Sequence, residues 1–247
     1  MGRFNDMKDQ LLLKYLRKCI QEYDLIQNGD RIAVGISGGK DSMLLLTGLS
    51  MLQKFYPKHF ELVAITVDPG FSADYSPIAS YIEKLGIPYL IEKTDIAEIV
   101  FDYRKEDHPC SLCSQMRRAA LTAAAERENC GKLALGHHKD DYLSTLMLSL
   151  VYEGRFYTYA PRTEYEDRKI SIIRPLLYVP EGAVEGYIRE HEIPTVKNPC
   201  PADKQTKREE MNRLLRELQA RYPEIKDRLM HAVMTSDIPD WRDLRKP

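Results

Sequence analysis

Long hydrophobic runs are missing from this sequence, and so is a signal-peptide pattern at its start. Together these absences predict a cytoplasmic protein with no membrane span. An excess of one charge is missing too. The 247 residues carry a net charge of −1, so no strong global attraction to nucleic acid follows, and any basic surface must be local. Cysteine is scarce, with five in the chain. In that compartment they read as thiols or metal ligands rather than structural disulfides. There is no internal repeat, no low-complexity tract and no GxxxxGK[ST] phosphate loop. Length and an ordinary hydrophobic content allow one large α/β domain, with or without an appendage.

What is there is organised around Ser37-Gly38-Gly39-Lys40-Asp41-Ser42. The stretch follows the apolar run Ile32–Ile36, which reads as a buried strand, and precedes Met43–Leu46, which reads as a helix start. A glycine-rich turn between strand and helix points backbone N–H groups outward with the positive end of a helix dipole behind them. That is an anion seat suited to phosphate.

The remaining chain alternates helix and strand signals. Apolar side chains at helical spacing between Met7 and Tyr23 predict a first helix, with Cys19 in its core-facing set. Leu62–Asp68 predicts a second strand, Pro77–Leu85 a helix, Pro88–Ile91 a third strand and Lys132–Leu135 a fourth. Ile170–Leu176 reads as a final strand, followed by a helix from Pro180 to about His191. This order predicts a doubly wound parallel sheet. Asp68, at a strand's carboxyl end, suits either a ribose or adenine contact or a cap. Tyr152 to Arg168 reads as an irregular loop whose Tyr152, Phe156, Tyr157 and Tyr159 alternate with Arg155 and Arg162. Such interleaving fits base stacking or an ordinary surface hairpin.

Three further stretches carry chemistry. Cys110-Ser-Leu-Cys113 lies at the mouth of a predicted helix, where thiolate is favoured, with Arg117 and Arg118 one turn on. By itself CxxC fits zinc, an iron–sulfur centre or a redox dithiol. Gly136-His137-His138-Lys139-Asp140-Asp141 is a second strand-to-helix junction, whose groups can bind Mg²⁺, handle protons or cap. Cys200 stands between Pro199 and Pro201 on a stiff loop suited to projecting a thiolate. A mildly basic helical segment follows, with Lys204, Lys207, Arg208, Arg213, Arg216, Arg221, Lys226 and Arg228, fitting RNA contact or a solvated helix pair.

The SGGKDS stretch resembles the SGGxDS signature of the PP-loop ATP pyrophosphatases, which adenylate a substrate and release pyrophosphate. With the CxxC-Arg117-Arg118, GHHKDD, Ile173-Arg174-Pro175-Leu176 and Pro199-Cys200 stretches, the series resembles tRNA 2-thiolation enzymes of the TtcA type. The resemblance covers roughly residues 25 to 200. It implies an N-terminal helix over 1–24, a PP-loop domain over 25–195 and a third-cysteine loop with a helical segment over 196–247. It implies a 4Fe–4S cluster on Cys110, Cys113 and Cys200, with one iron open to sulfur and Cys200 counted also among the catalytic residues. ATP phosphates would lie on Ser37, Gly38, Gly39, Lys40, Asp41 and Ser42, with Asp68 and Gly136 completing the nucleotide site. Lys40 and Arg117 would offset charge on the transferring group; Asp140 or Asp141, with Asp141 favoured, would hold Mg²⁺ or take a proton. The partners implied are tRNA, a sulfur donor (a cysteine desulfurase or free sulfide) and a second copy in a homodimer. One departure stands out: where the family pattern has a second cysteine after the third ligand, this chain reads Pro199-Cys200-Pro201-Ala202-Asp203. Alternatives are a lysidine synthetase-like enzyme, a non-catalytic ATP and cluster sensor, and a zinc site with His108 as fourth ligand.

Overall fold

The structure, a computed structural model, describes residues 7–104, 109–165, 169–197, 199–200, 207–236, 238 and 241. Helix α1 (Met7–Glu22) precedes strand β1 (Asp30–Gly35), α2 (Lys40–Gln53), β2 (Phe60–Asp68), α3 (Ser76–Lys84) and β3 (Tyr89–Lys93). Then follow α4 (Pro109–Arg127), β4 (Lys132–Ala134), α5 (Lys139–Leu148), β5 (Arg162–Thr163) and β6 (Ser171–Ile173). Helices α6 (Glu181–Glu190), α7 (Lys207–Arg221) and α8 (Ile225–Thr235) complete the described order. Among the described residues no helix is long and apolar enough to cross a membrane.

The strands form one sheet in the order β3-β2-β1-β4-β6-β5, parallel except for β5, which pairs antiparallel with β6. The expected doubly wound sheet is present. Its central strands read as continuous apolar runs because helices cover both faces; Ile32, Ala33 and Val34 are all fully buried. The chain winds outward from β1 through β2 to β3, then returns to β4 on the other side. The carboxyl ends of β1 and β4 therefore flank the crevice where such sheets bind ligands. SGGKDS leaves β1 there and GHHKDD leaves β4.

These two junctions touch through backbone. A Cβ built on Gly136 would lie 2.9 Å from the Asp41 carbonyl carbon and 3.0 Å from the Ser42 nitrogen. No side chain fits there.

Local details have clear causes. Helix α5 begins at Lys139, inside the GHHKDD stretch, because His138 and Asp141 form a capping box at its start. The described part of the expected loop, 152–165, is largely irregular. A wide helical turn, 149–153, ends at left-handed Gly154, and β5 follows. The strand expected at 170–176 closes at Ile173, because the backbone beyond it turns.

The C-terminal helices share the core. Helices α7 and α8 pack on α5. Trp241 is fully buried, with its ring edge-on to Tyr23 at 6.0 Å and to Tyr142 at 5.9 Å. The C-terminal segment thus seals apolar surface between the end of α1 and α5.

Gly136→Ala is expected to destabilise the fold by about 1–3 kcal/mol, the usual range for overpacking against an unyielding neighbour. It should also weaken ATP binding by pushing the two junctions apart. Urea denaturation with an ATP titration checks both; unchanged stability would mean that the β4 end can back away from α2.

Candidate active site

The loop after β1 is held by its own hydroxyls. Ser42 Oγ donates to the Gly39 carbonyl at 2.9 Å and accepts from the Ser37 N–H at 3.2 Å. Ser37 Oγ accepts from the Gly39 N–H at 3.2 Å. Gly38 takes a left-handed φ of +82°, which lets the loop turn tightly. The N-cap of α2 is Gly39, which makes no side-chain cap, so the first turn keeps backbone N–H groups for an anion. The start of α5 differs: its cap is filled by its own side chains, with Asp141 Oδ2 accepting from the His138 N–H at 3.0 Å.

The two adjacent carboxylates of GHHKDD have separate surroundings. Asp140 is buried, accepting from Lys226 Nζ of α8 at 2.6 Å and from the Glu181 N–H of α6 at 2.8 Å. Burial pushes its carboxyl up, but the Lys226 ammonium and the Glu181 N–H outweigh burial and hold it below the usual carboxylate range. Asp141 instead lines a cleft of about 350 Å³ with Ser37, Asp41, Ser42, Arg117 and His137.

His138 sits between the junctions. Its Nδ1 accepts from the Asp140 N–H at 3.2 Å, which puts the ring proton on Nε2. That Nε2 lies 3.5 Å from Asp41 Oδ1 and 3.6 Å from Asp141 Oδ2. Burial raises the Asp41 carboxyl above its usual range despite His138 and Lys40, and the Asp141 charge adds to the rise. Asp41 Oδ1 is buried and is approached by the Lys40 ammonium at 3.3 Å. The His137 ring lies against that of Tyr159, centroids 4.8 Å apart and tilted by 33°, and burial, with Arg174 beside it, lowers its pKa to about 3. Its imidazole is neutral at physiological pH.

Cys110, Cys113 and Cys200 line one cavity of about 490 Å³, together with Ser37, Gly39, Ser114 and Arg117. Helix spacing explains the first wall: Cys110, Cys113, Ser114 and Arg117 fall at i, i+3, i+4 and i+7 along α4. The approach to Cys200 is fixed by the phosphate loop itself. The Val196 N–H donates to the Gly38 carbonyl at 2.8 Å, and a Cβ on Gly38 would meet Val196 Cβ at 2.9 Å. Burial raises the Cys113 thiol's pKa; Arg117 opposes the rise, and charges on Cys200 and Cys110 add to it. Among the described residues no three His, Cys, Asp or Glu groups converge tightly enough for a single metal ion. A cubane is wider than one ion, and a three-thiol donor set at a common cavity fits it. His108, the candidate fourth zinc ligand, lies outside the described residues, as do Pro201, Ala202, Asp203 and Lys204.

Ser37, Ser114 and Arg117 line both the thiol cavity and the carboxylate cleft. Arg117 is the one cation among these three. Not every expected residue gathers here. Lys40 Nζ lies 3.3 Å from Asp41 and 3.4 Å from Glu181, and it lines neither cavity. Burial pulls its ammonium down, yet the two carboxylates hold it above its ordinary value. The Asp68 carboxylate accepts from the Gly70 N–H at 3.0 Å in a tight turn, while Val67 lines the cleft and Pro69 the thiol cavity. Gly136 lines the cleft and is required by close packing. Cys19 and Cys130 are buried away from the site.

Sequence reasoning missed the α7 wall. Arg208, Glu209 and Asn212 line the thiol cavity. Arg208 donates to Tyr159 Oη at 2.7 Å and to Ser144 Oγ at 2.9 Å, tying α7 to the carboxylate helix. Only the i, i+4 spacing of Arg208 and Asn212 hinted at a shared face.

A family model described as the PP-loop domain matches residues 9–219. The chain is 39% identical over 224 residues to the tRNA-cytidine(32) 2-sulfurtransferase of Geobacter sulfurreducens, covering 87% of this chain and 86% of that protein. It is 42% identical over 224 residues to the tRNA-cytidine(32) 2-sulfurtransferase of Geotalea daltonii, covering 87% of each. Among solved structures it is similar to the U34-tRNA thiolase NcsA from Methanococcus maripaludis with its [4Fe-4S] cluster. That match has a TM-score of 0.74 at 27% identity, covering 91% of this chain and 79% of that one.

The Asp140–Lys226 pair has a defined pH signature. The folded pKa of Asp140 lies below its unfolded value of about 3.9, so its stabilisation is complete above that pH and is lost as pH falls through the folded value. Asp140→Asn is expected to cost on the order of 3 kcal/mol at pH 7 by stranding Lys226, a deficit that shrinks below about pH 4. Urea midpoints at both pH values check this; a deficit independent of pH would refute it.

Proposed function

The chain belongs to the PP-loop family, alongside the tRNA-cytidine(32) 2-sulfurtransferases, and from that membership we propose that it is an ATP-dependent enzyme replacing the C2 oxygen of a tRNA cytidine with sulfur. One observation carries the reading: three thiols and a phosphate-suited loop border a single space, and Arg117 faces both halves of it. The C2 oxygen of the base attacks the α-phosphate of ATP, and pyrophosphate leaves. Hydrosulfide then adds to C2 and gives up its proton, and AMP departs with the C2 oxygen as the C–O bond breaks.

The uncapped α2 terminus, Gly38, Gly39 and the Ser37 and Ser42 hydroxyls bind the phosphates. Arg117 stabilises charge on the α-phosphate as the bond to pyrophosphate breaks. Asp141 acts at the cleft, while Asp140 positions it from behind. Asp41 and Asp141, which line the same cleft, suit Mg²⁺ on the triphosphate. Lys40 steadies Asp41 through its ion pair rather than reaching the transferring group.

Cys110, Cys113 and Cys200 hold the cluster, which when bound supplies an iron without a protein ligand for sulfur. The sulfur donor is external, a cysteine desulfurase or free sulfide. The enzyme works in the cytoplasm as a homodimer. The single cysteine after Pro199 is sufficient in this reading, because three thiols already line the cavity.

Protein purified without oxygen is expected to be brown and to hold about four irons and four sulfides per chain, both lost in Cys200→Ala. A colourless wild type holding zinc would overturn the cluster. With tRNA and ATP, Arg117→Ala and Asp141→Asn are expected to lower the rate of pyrophosphate release about 100-fold with the cluster intact. An unchanged rate in either variant would remove that residue from the mechanism.

A further inference from the structure

Ten large hydrophobic side chains are markedly exposed among the described residues, and five of them fall in one short run: Leu150, Val151, Tyr152, Phe156 and Tyr157. A patch of this kind marks a contact surface. This one is rigidly joined to the site. Tyr152 Oη donates to Glu210 of α7 at 2.8 Å, and Lys207 Nζ lies 4.3 Å over its ring. The next residues of α7, Arg208 and Glu209, line the thiol cavity. In the other direction the chain runs inward to Tyr159, whose ring lies against His137 of the carboxylate cleft. A single ten-residue stretch, 150–159, thus leads from exposed rings to the reacting space.

We propose that Phe156 and Tyr157, with Tyr152 and Arg155, form a stacking platform for the unpaired nucleotides that flank the target cytidine; this rests on the tRNA reading above. A base can reach a recessed cavity only if it leaves its stack. The neighbours that it abandons then need another surface, and exposed rings supply one with no demand on sequence. The cations fit the same occupant. Arg155 lies over the Tyr157 ring at 5.5 Å and Lys207 over Tyr152, so charge for phosphate is interleaved with faces for bases. A wholly apolar partner would leave Lys207, and Arg155 with its Glu153 partner, desolvated.

The test uses the full chain, loaded with its cluster, and an anticodon stem-loop RNA whose loop holds the target cytidine. The Phe156→Ala, Tyr157→Ala double variant removes two exposed rings that the core does not need. It is expected to bind the stem-loop about tenfold or more weakly, with ATP affinity unchanged. The slope of log affinity against log salt should also hold, because no phosphate contact is removed. Tyr157→Trp should keep wild-type affinity.

Wild-type RNA affinity in the double variant would overturn the platform while leaving the tRNA reading intact. Intact RNA affinity with conversion of a dimer to a monomer would assign the patch to a second copy of the chain instead. A wild type that neither binds nor thiolates the stem-loop would overturn the tRNA reading and the platform with it.

Discussion

Everything in this site depends on backbone meeting backbone at the phosphate loop. Gly136 brings the end of β4 against Asp41 and Ser42 with no room for a side chain. On the opposite flank the Val196 N–H binds the Gly38 carbonyl, again where glycine alone leaves space. One loop is therefore gripped by the segment carrying the carboxylates and by the segment leading to Cys200. The spacing of the phosphate loop, the acids and the thiols is set by two strand ends, the Val196 segment and two glycines, and flexible side chains have little part in it. Preorganisation of this kind lets a site stabilise developing charge without rearranging.

The pair Asp140–Asp141 illustrates how neighbouring identical residues acquire different work. A residue at the second position of a helix and one at the third point in different directions. Asp140 turns back into the protein, where Lys226 and the Glu181 N–H take both oxygens. Asp141 closes the cap with one oxygen and faces the cleft. The buried pair makes α8 and α6 conform to α5, so the outer helices hold the inner acid in place. Arg208 adds a third tether from α7. The C-terminal helices thus act as a brace for chemistry carried by the sheet.

How much of this was legible depended on the range of the interaction. The parallel sheet and the strand-to-helix turn at SGGKDS follow from alternation and local turn chemistry, and both are present; the strand order is not readable this way. The stripe Cys110, Cys113, Ser114, Arg117 was readable from helix period once α4 was placed. What sequence could not supply was partner choice across long separations. Lys40 looked like a phosphate ligand because of its motif; only the fold brings Glu181 within 3.4 Å of it. Asp68 suited either a nucleotide contact or a cap; the fold shows one of its oxygens accepting from the Gly70 N–H. The α7 residues had no local signature, since a helix carrying both charges reads as solvated until its neighbour is known.

Arg117 joins two demands that would otherwise conflict. A phosphate cleft favours cations and buried carboxylates with a metal ion; a thiol cavity hosting an anionic sulfur centre favours cations. The structure shares Ser37, Ser114 and Arg117 along the border, with Asp41 and Asp141 on one side and the three sulfurs, with Glu209 of α7, on the other. In the proposed mechanism the guanidinium leans on phosphate during activation and on the sulfur side during transfer, since its planar fork offers several donors at once. An acceptor atom lying at that border meets both reactions without travelling. That is the arrangement a two-step exchange of oxygen for sulfur at a single carbon requires.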